Sequence, residues 1–137
     1  MSITSVDDAV KVAADSSQAS QVREEAISYL ADHPTEQAIG TLIDLMETDD
    51  AGVRWKAADA LASLGKTALV PVLRALVDKS DSRWLLEGAY HVFHDNRSSE
   101  VARMTDGVCA AMKGQGAALA TVTAAGELLV KLAGEAS

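Results

Sequence analysis

The chain has 137 residues, enough for one domain that buries a continuous core without disulfides or a metal. Twenty Asp and Glu against twelve Lys and Arg give a net charge of -8, and the cations scatter from Lys11 to Lys131 without a run, so the field repels phosphate backbones and excludes nucleic acid as an expected partner. Apolar residues make up 48% of the chain but aromatics only 4%, so the interior is expected to consist of Ala, Leu and Val on closely approaching helices.

The first residues, MSITSVDDAV, carry neither a cationic start nor an apolar run, so no secretory signal is expected, and no apolar segment approaches the roughly 20 residues of a membrane span. Residues 5–15 read as a lone helix, with two Asp near its start, that caps the stack to come. From there the chain repeats every 31 residues: Val22, Val53 and Trp84 align, as do Ala26, Ala57 and Gly88, then Leu30, Leu61 and Val92. A second set follows in the same register, Ile39, Val70 and Val101, then Leu42, Leu73 and Met104, then Met46, Val77 and Val108. Two helical stripes per period mark stacked helical hairpins, each a helix A, a short turn and a helix B.

The repeats span about 20–49, 50–80 and 81–113 within a single domain, 1–137. In the second, Asp49 or Asp50 is placed to cap helix A, which runs Val53 to Leu64 with Val53, Ala57, Ala60, Leu61 and Leu64 on one face. Gly65 suits the left-handed stop, and Pro71 the first turn of helix B, where Val70, Leu73, Leu76 and Val77 face inward. Asp81 and Ser98 or Ser99 are the expected caps of the third repeat. After Gly114-Gln115-Gly116, residues 117–133 form a last helix marked by Leu119, Val122, Gly126, Leu129 and Ala133, ended by Gly134 and capping the far end. No segment alternates with period two over strand length, so the expected class is all-α, an α-α superhelix.

Val53-Arg54-Trp55-Lys56-Ala57-Ala58-Asp59-Ala60-Leu61-Ala62-Ser63-Leu64-Gly65, followed by Val70-Pro71-Val72-Leu73 and Leu76, resembles the HEAT-like repeat of the phycobilin lyase type. Val22-Arg23-Glu24-Glu25-Ala26 repeats the opening, whereas Trp84-Leu85-Leu86 departs from it. The resemblance covers about residues 18 to 113 and implies a HEAT-like solenoid, serving as a scaffold, an adaptor, a chromophore lyase subunit or, in some members, an enzyme. Deoxyhypusine hydroxylase, a HEAT-repeat enzyme, holds iron with His-Glu pairs. The corresponding neighbourhoods read Glu24-Glu25, Trp55-Lys56 and Leu86-Glu87, so that chemistry is not expected.

Opposite the inward stripe of helix A lie Glu24, Trp55 and Leu86, then Ser28, Asp59 and Tyr90, then Ala31, Ala62 and Phe93. This outer face turns apolar toward the third repeat, where Trp55, Leu86, Tyr90 and Phe93 make a candidate protein-binding patch, unless the chain's own C-terminal helix covers it. Helix B presents Asp44, Ala75 and Asp106, then Glu47, Asp78 and Cys109, so Asp44, Glu47, Asp78 and Asp106 make an acidic face suited either to a basic segment or simply to solvent. Glu87, His91 and His94 share a flank at spacings of four and three, compatible with a divalent metal but explained more simply by histidines favoured at a helix C-terminus. Cys109, the only cysteine, is expected to be a reduced core residue in a cytoplasmic protein.

These features point to a noncatalytic protein-interaction scaffold that needs no cofactor, binds a protein partner, and in the simplest case pairs as a homodimer, with no membrane association. A phycobilin lyase subunit or accessory protein, and a metal-binding enzyme, are the alternatives.

Overall fold

The computed structural model describes residues 3–79, 81–114 and 116–136. Among them are nine α-helices and no strand: α1 (Val6–Ala14), α2 (Ser20–Asp32), α3 (Glu36–Leu45), α4 (Ala51–Ser63), α5 (Leu69–Asp78), α6 (Arg83–His94), α7 (Ser99–Met104), α8 (Asp106–Lys113) and α9 (Ala117–Ala136). Short polar side chains start most of them by taking up a free backbone N–H of the first turn. Ser5 accepts from Asp8 at 3.1 Å, Thr35 from Ala38 at 3.1 Å, and Asp50 from Val53 at 3.1 Å. Ser98 accepts from Val101 at 3.3 Å. The cap of α6 is Ser82, not Asp81, with its hydroxyl 3.3 Å from the Leu85 nitrogen. Asp50 also accepts a hydrogen bond from the Ser20 hydroxyl, which ties the starts of α2 and α4 together.

Gly65 adopts φ +61 and ends α4, and a single 3-10 turn, Gly65–Ala68, leads into α5. Pro71 sits in the first turn of α5, where a missing N–H costs no helical bond. Helices α2, α4 and α6 pack in series as one layer, and α1, α3, α5 and α9 as a second. Their inward side chains join in one core containing Val53, Ala57, Leu61, Leu73 and Leu76, as the 31-residue register requires.

Where Ala26 and Ala57 stand in the first two repeats, the third has Gly88, because Met46 lies directly over it. A Cβ at position 88 would come 2.7 Å from Met46 Sδ.

The structure corrects several expectations. Trp84, aligned with half-buried Val22 and core Val53, is 39% exposed and lies against Arg54, with the guanidinium carbon 4.2 Å from its ring centroid. Val70 and Val77 are half-buried, whereas Leu69 and Val72 lie deep. Helix α5 is enclosed on a second side by α9, which turns its buried face away from the expected stripe. The helix B of the third repeat is two helices. Buried Thr105 turns its hydroxyl back onto the Val101 carbonyl at 2.7 Å, and the chain breaks between α7 and α8 there. Cys109 is buried, as expected of a core residue although the register put it among the outward positions of helix B, and Met104 is only half-buried.

The last helix departs furthest. It runs 20 residues through Gly134, and it packs lengthwise on α5 and α8 instead of closing the end of the stack. Thr121 and Ala125 face inward, whereas Leu119 is 76% and Val130 75% exposed. By length and composition α9 is apolar enough to cross a membrane, contrary to the expectation that no segment approaches that length.

Candidate functional site

Trp55 on α4 and Leu86 on α6 occupy the same register position one repeat apart, so stacking of the two helices sets them side by side on the outer face. Tyr90 follows one turn along α6. The C-terminal end of α8 supplies Met112 and Lys113, and together these side chains enclose an open groove of about 400 Å³ with Arg83 and Glu87 at its rim. Three of the four residues expected to form an apolar patch therefore line one concavity. Trp55 is 46% exposed, and Leu86 and Tyr90 are half-exposed. Phe93 is not part of it: α8 packs on α6, and Phe93 lies wholly inside the core.

The rim is charged and locally satisfied. Arg83 Nε and Glu87 Oε1 are 3.4 Å apart. Lys113 Nζ lies 4.6 Å from the Tyr90 ring centroid, and hydrogen bonding to Tyr90 holds the Lys113 ammonium above its ordinary pKa. Behind the groove, the His91 and Trp55 rings stand nearly perpendicular, 5.7 Å apart between centroids. His91 Nε2 is 2.5 Å from Asp59 Oδ1, and its Nδ1 is 2.9 Å from Asp95 Oδ2. Asp95 in turn meets His94 Nδ1 at 3.1 Å, and that hydrogen bond, followed by the charges of His91 and His94, holds its carboxyl below the usual range.

These contacts draw Glu87, His91 and His94 apart. Glu87 turns to Arg83, and the two histidines turn to carboxylates. Among the described residues no three His, Cys, Asp or Glu side chains are grouped to hold a metal ion.

The acidic face is divided. Asp44 and Glu47 line a separate cleft of about 370 Å³ formed by α1, α2 and α3, and Glu47 Oε2 is 3.3 Å from Lys79 Nζ, which raises the Lys79 pKa. Asp78 and Asp106 are exposed outside that cleft, on α5 and α8, the two helices against which α9 packs.

Met112, Lys113 and Arg83 belong to the groove but were not identified from the sequence. The i, i+4 pair Val108 and Met112 carried the only signal for the first, and nothing in the register pointed to the other two.

The chain matches HEAT repeats over residues 6–93, from the start of α1 almost to the end of α6. Neither the search of characterised proteins nor that of solved structures returns a match. The matched segment covers more than half of the chain and contains the alternating helices of the first two hairpins, so the protein belongs to the HEAT-repeat family.

Proposed function

We propose that the protein is a noncatalytic interaction module whose groove between α4, α6 and α8 binds a protein partner. The observation that carries this reading is the concentration of Trp55, Leu86, Tyr90 and Met112 in one open concavity. Trp55, Leu86 and Tyr90 are only partly covered while Met112 is buried, and partly covered apolar and aromatic side chains gain most from a partner that excludes water, with charged residues at the edge adding selectivity. Backbones held by the stacked core lose little freedom on association, so more of the desolvation energy appears as affinity. The fitting ligand is a helix or loop presenting apolar anchors with a carboxylate near Lys113 or Arg83.

A second copy of the chain is the simplest partner, related by a two-fold axis through the groove. A cytoplasmic setting completes the proposal, since the thiol of Cys109 is buried and reduced there. The likeness of the second repeat to phycobilin lyase repeats supports the lyase reading only at the level of sequence.

The test pairs solution mass with affinity capture and mass spectrometry, using the wild type and Leu86→Asp. Burying the new carboxylate should weaken a real interface at least tenfold, about 1.4 kcal/mol. Capture and mass that do not respond to Leu86→Asp reject the groove as the binding surface. Faster bilin attachment to an acceptor protein in the presence of the chain would favour the lyase reading instead, and metal retained at stoichiometric level would favour the metal enzyme.

A further inference from the structure

Both tryptophans of the chain are partly open to solvent, Trp55 at 46% and Trp84 at 39% exposure. They line a small recess that Met46, Arg54, Glu87 and Gly88 complete, and Trp55 and Glu87 line the groove as well. The recess therefore continues the groove past Trp55 toward the start of α6. Its far wall is held in place. Arg54 Nη1 donates to the Thr48 carbonyl at 2.8 Å and to the Asp49 carbonyl at 3.2 Å, and these bonds fix the guanidinium whose carbon stands 4.2 Å from the Trp84 ring centroid.

Charge along this continuous surface is unbalanced. Glu87 is the one carboxylate that lines it, and Glu87 is engaged by Arg83 at 3.4 Å. Arg54 hydrogen-bonds neutral backbone carbonyls, and Lys113 lies 4.6 Å from the Tyr90 ring centroid; among the described residues neither has a carboxylate at ion-pair distance. A chain of net charge -8 thus places two cations without acidic partners around its aromatic surface. Tyr90 and Trp84, the rings beside those cations, are about 9 Å apart along the axis of α6, within reach of about four extended residues. A basic segment would set like charges against Arg54, Arg83 and Lys113, whereas carboxylates supply what both free cations lack. A nucleic-acid strand, the other polyanion that stacks on aromatic rings, is opposed by the net charge of the rest of the chain.

Resting on the groove reading, we infer that the recess at Trp84 is the second half of the binding surface, and that the partner presents an acidic segment whose apolar side chains cover Trp55 and Trp84 between carboxylates paired with Lys113 and Arg54.

Two tryptophans give two indole N–H signals in isotope-labelled protein, one for Trp55 and one for Trp84. The probe is acetyl-Glu-Leu-Leu-Glu-amide, followed by nuclear magnetic resonance, with acetyl-Lys-Leu-Leu-Lys-amide as its charge-reversed comparison. The acidic peptide is expected to shift both indole signals saturably, while the basic peptide leaves them in place. Lys113→Gln should weaken the acidic peptide about threefold, the scale of one exposed ion pair, and added salt should weaken the wild type in the same direction. Trp84→Ser changes an exposed side chain, keeps the helix content seen by circular dichroism, and should weaken binding read at the Trp55 indole about fivefold. A shift at Trp55 alone, equal shifts from both peptides, no shift from either, or unchanged affinity in Lys113→Gln or Trp84→Ser would overturn the inference. Partner capture that responds to Leu86→Asp while the acidic peptide moves neither indole retires this inference and keeps the groove, whereas capture indifferent to Leu86→Asp retires the groove reading itself.

Discussion

Gly88→Ala tests the stacking that creates the groove, because position 88 is where α6 of the third repeat meets Met46, at the end of α3 in the first. The added Cβ would stand 2.7 Å from Met46 Sδ and 3.3 Å from its Cβ and Cγ, whereas comfortable carbon contacts begin near 3.5 Å. Met46 is 1% exposed and has no solvent to retreat into. Overpacking of this kind costs about 1 to 3 kcal/mol, and replacing a mid-helix glycine by alanine returns about 1 kcal/mol, leaving a net loss of about 1 kcal/mol. The decisive assay is urea unfolding of a four-member cycle with Met46→Ala. That second change alone opens a cavity and should cost about 2 to 5 kcal/mol. In its background the Sδ and Cγ contacts are gone, so Gly88→Ala should switch sign and stabilise by about 1 kcal/mol, its helix-propensity gain. Additive behaviour, with the same sign in both backgrounds, would refute the argument that Met46 dictates the glycine.

Three further outcomes follow from single groups. The Thr121 hydroxyl is buried without a hydrogen-bond partner, so Thr121→Val should be neutral or raise stability by up to about 1 kcal/mol in thermal unfolding; a clear loss would mean the hydroxyl is engaged. Burial raises the Cys109 thiol pKa, so a thiol reagent at pH 8 should react slowly with native protein and quickly in denaturant, and equal rates would contradict the packing of α8. The Asp95 carboxyl is held below its ordinary value of 3.8, first by the His94 hydrogen bond, so its contribution is present above pH 4 and is lost as pH falls through the lower folded value. The stability difference between wild type and Asp95→Asn should accordingly be constant from pH 6 to 4 and shrink below that; a difference that grows toward low pH would reverse the assigned sign.

The layered core was legible because its signal is periodic. Val53, Leu61 and Leu73 recur at helical spacing within a repeat and at 31 residues between repeats, and both periods put them inside. Depth and neighbours were less legible, because periodicity gives a direction and not a distance. Trp84 and Phe93 exchanged roles for this reason: Arg54, one position along the preceding repeat, offers Trp84 a partner at the surface, while α8 closes over the side of α6 that bears Phe93. Helix α9 was misplaced because its sequence is apolar nearly all round, so no stripe told which side packs. Thr121 and Ala125, both buried and small enough for close helix approach, mark the side that packs on α5 and α8. Arg23 shares the Val-Arg dipeptide with Arg54, yet Arg54 binds the Thr48 and Asp49 carbonyls while Arg23 reaches across to the Ala13 carbonyl and the Thr48 hydroxyl, a distinction no local pattern records.

The central inward positions, Ala26, Ala57 and Gly88 and then Leu30, Leu61 and Val92, stay buried through the three repeats, while the outward ones drift from Glu24 and Ser28 to Trp55, then Leu86 and Tyr90. If the drift serves binding, the fold should not require it. Writing the first repeat's residues into the later positions, as Trp55→Glu, Leu86→Glu and Tyr90→Ser, removes the groove's apolar lining while leaving Val53, Leu61, Leu73 and Phe93 in place. These three side chains are half-exposed, so each should cost roughly 1 kcal/mol, less than a fully buried residue of the same size. Circular dichroism should show native helix content with a modest fall in melting temperature, and partner capture should vanish. Leu61→Glu, which places one carboxylate in the sealed core, should by contrast leave no cooperative transition. Collapse of the triple variant to the same state as Leu61→Glu would show that the outer residues are structural, and the division between a constant core and an adaptable surface would fail with them.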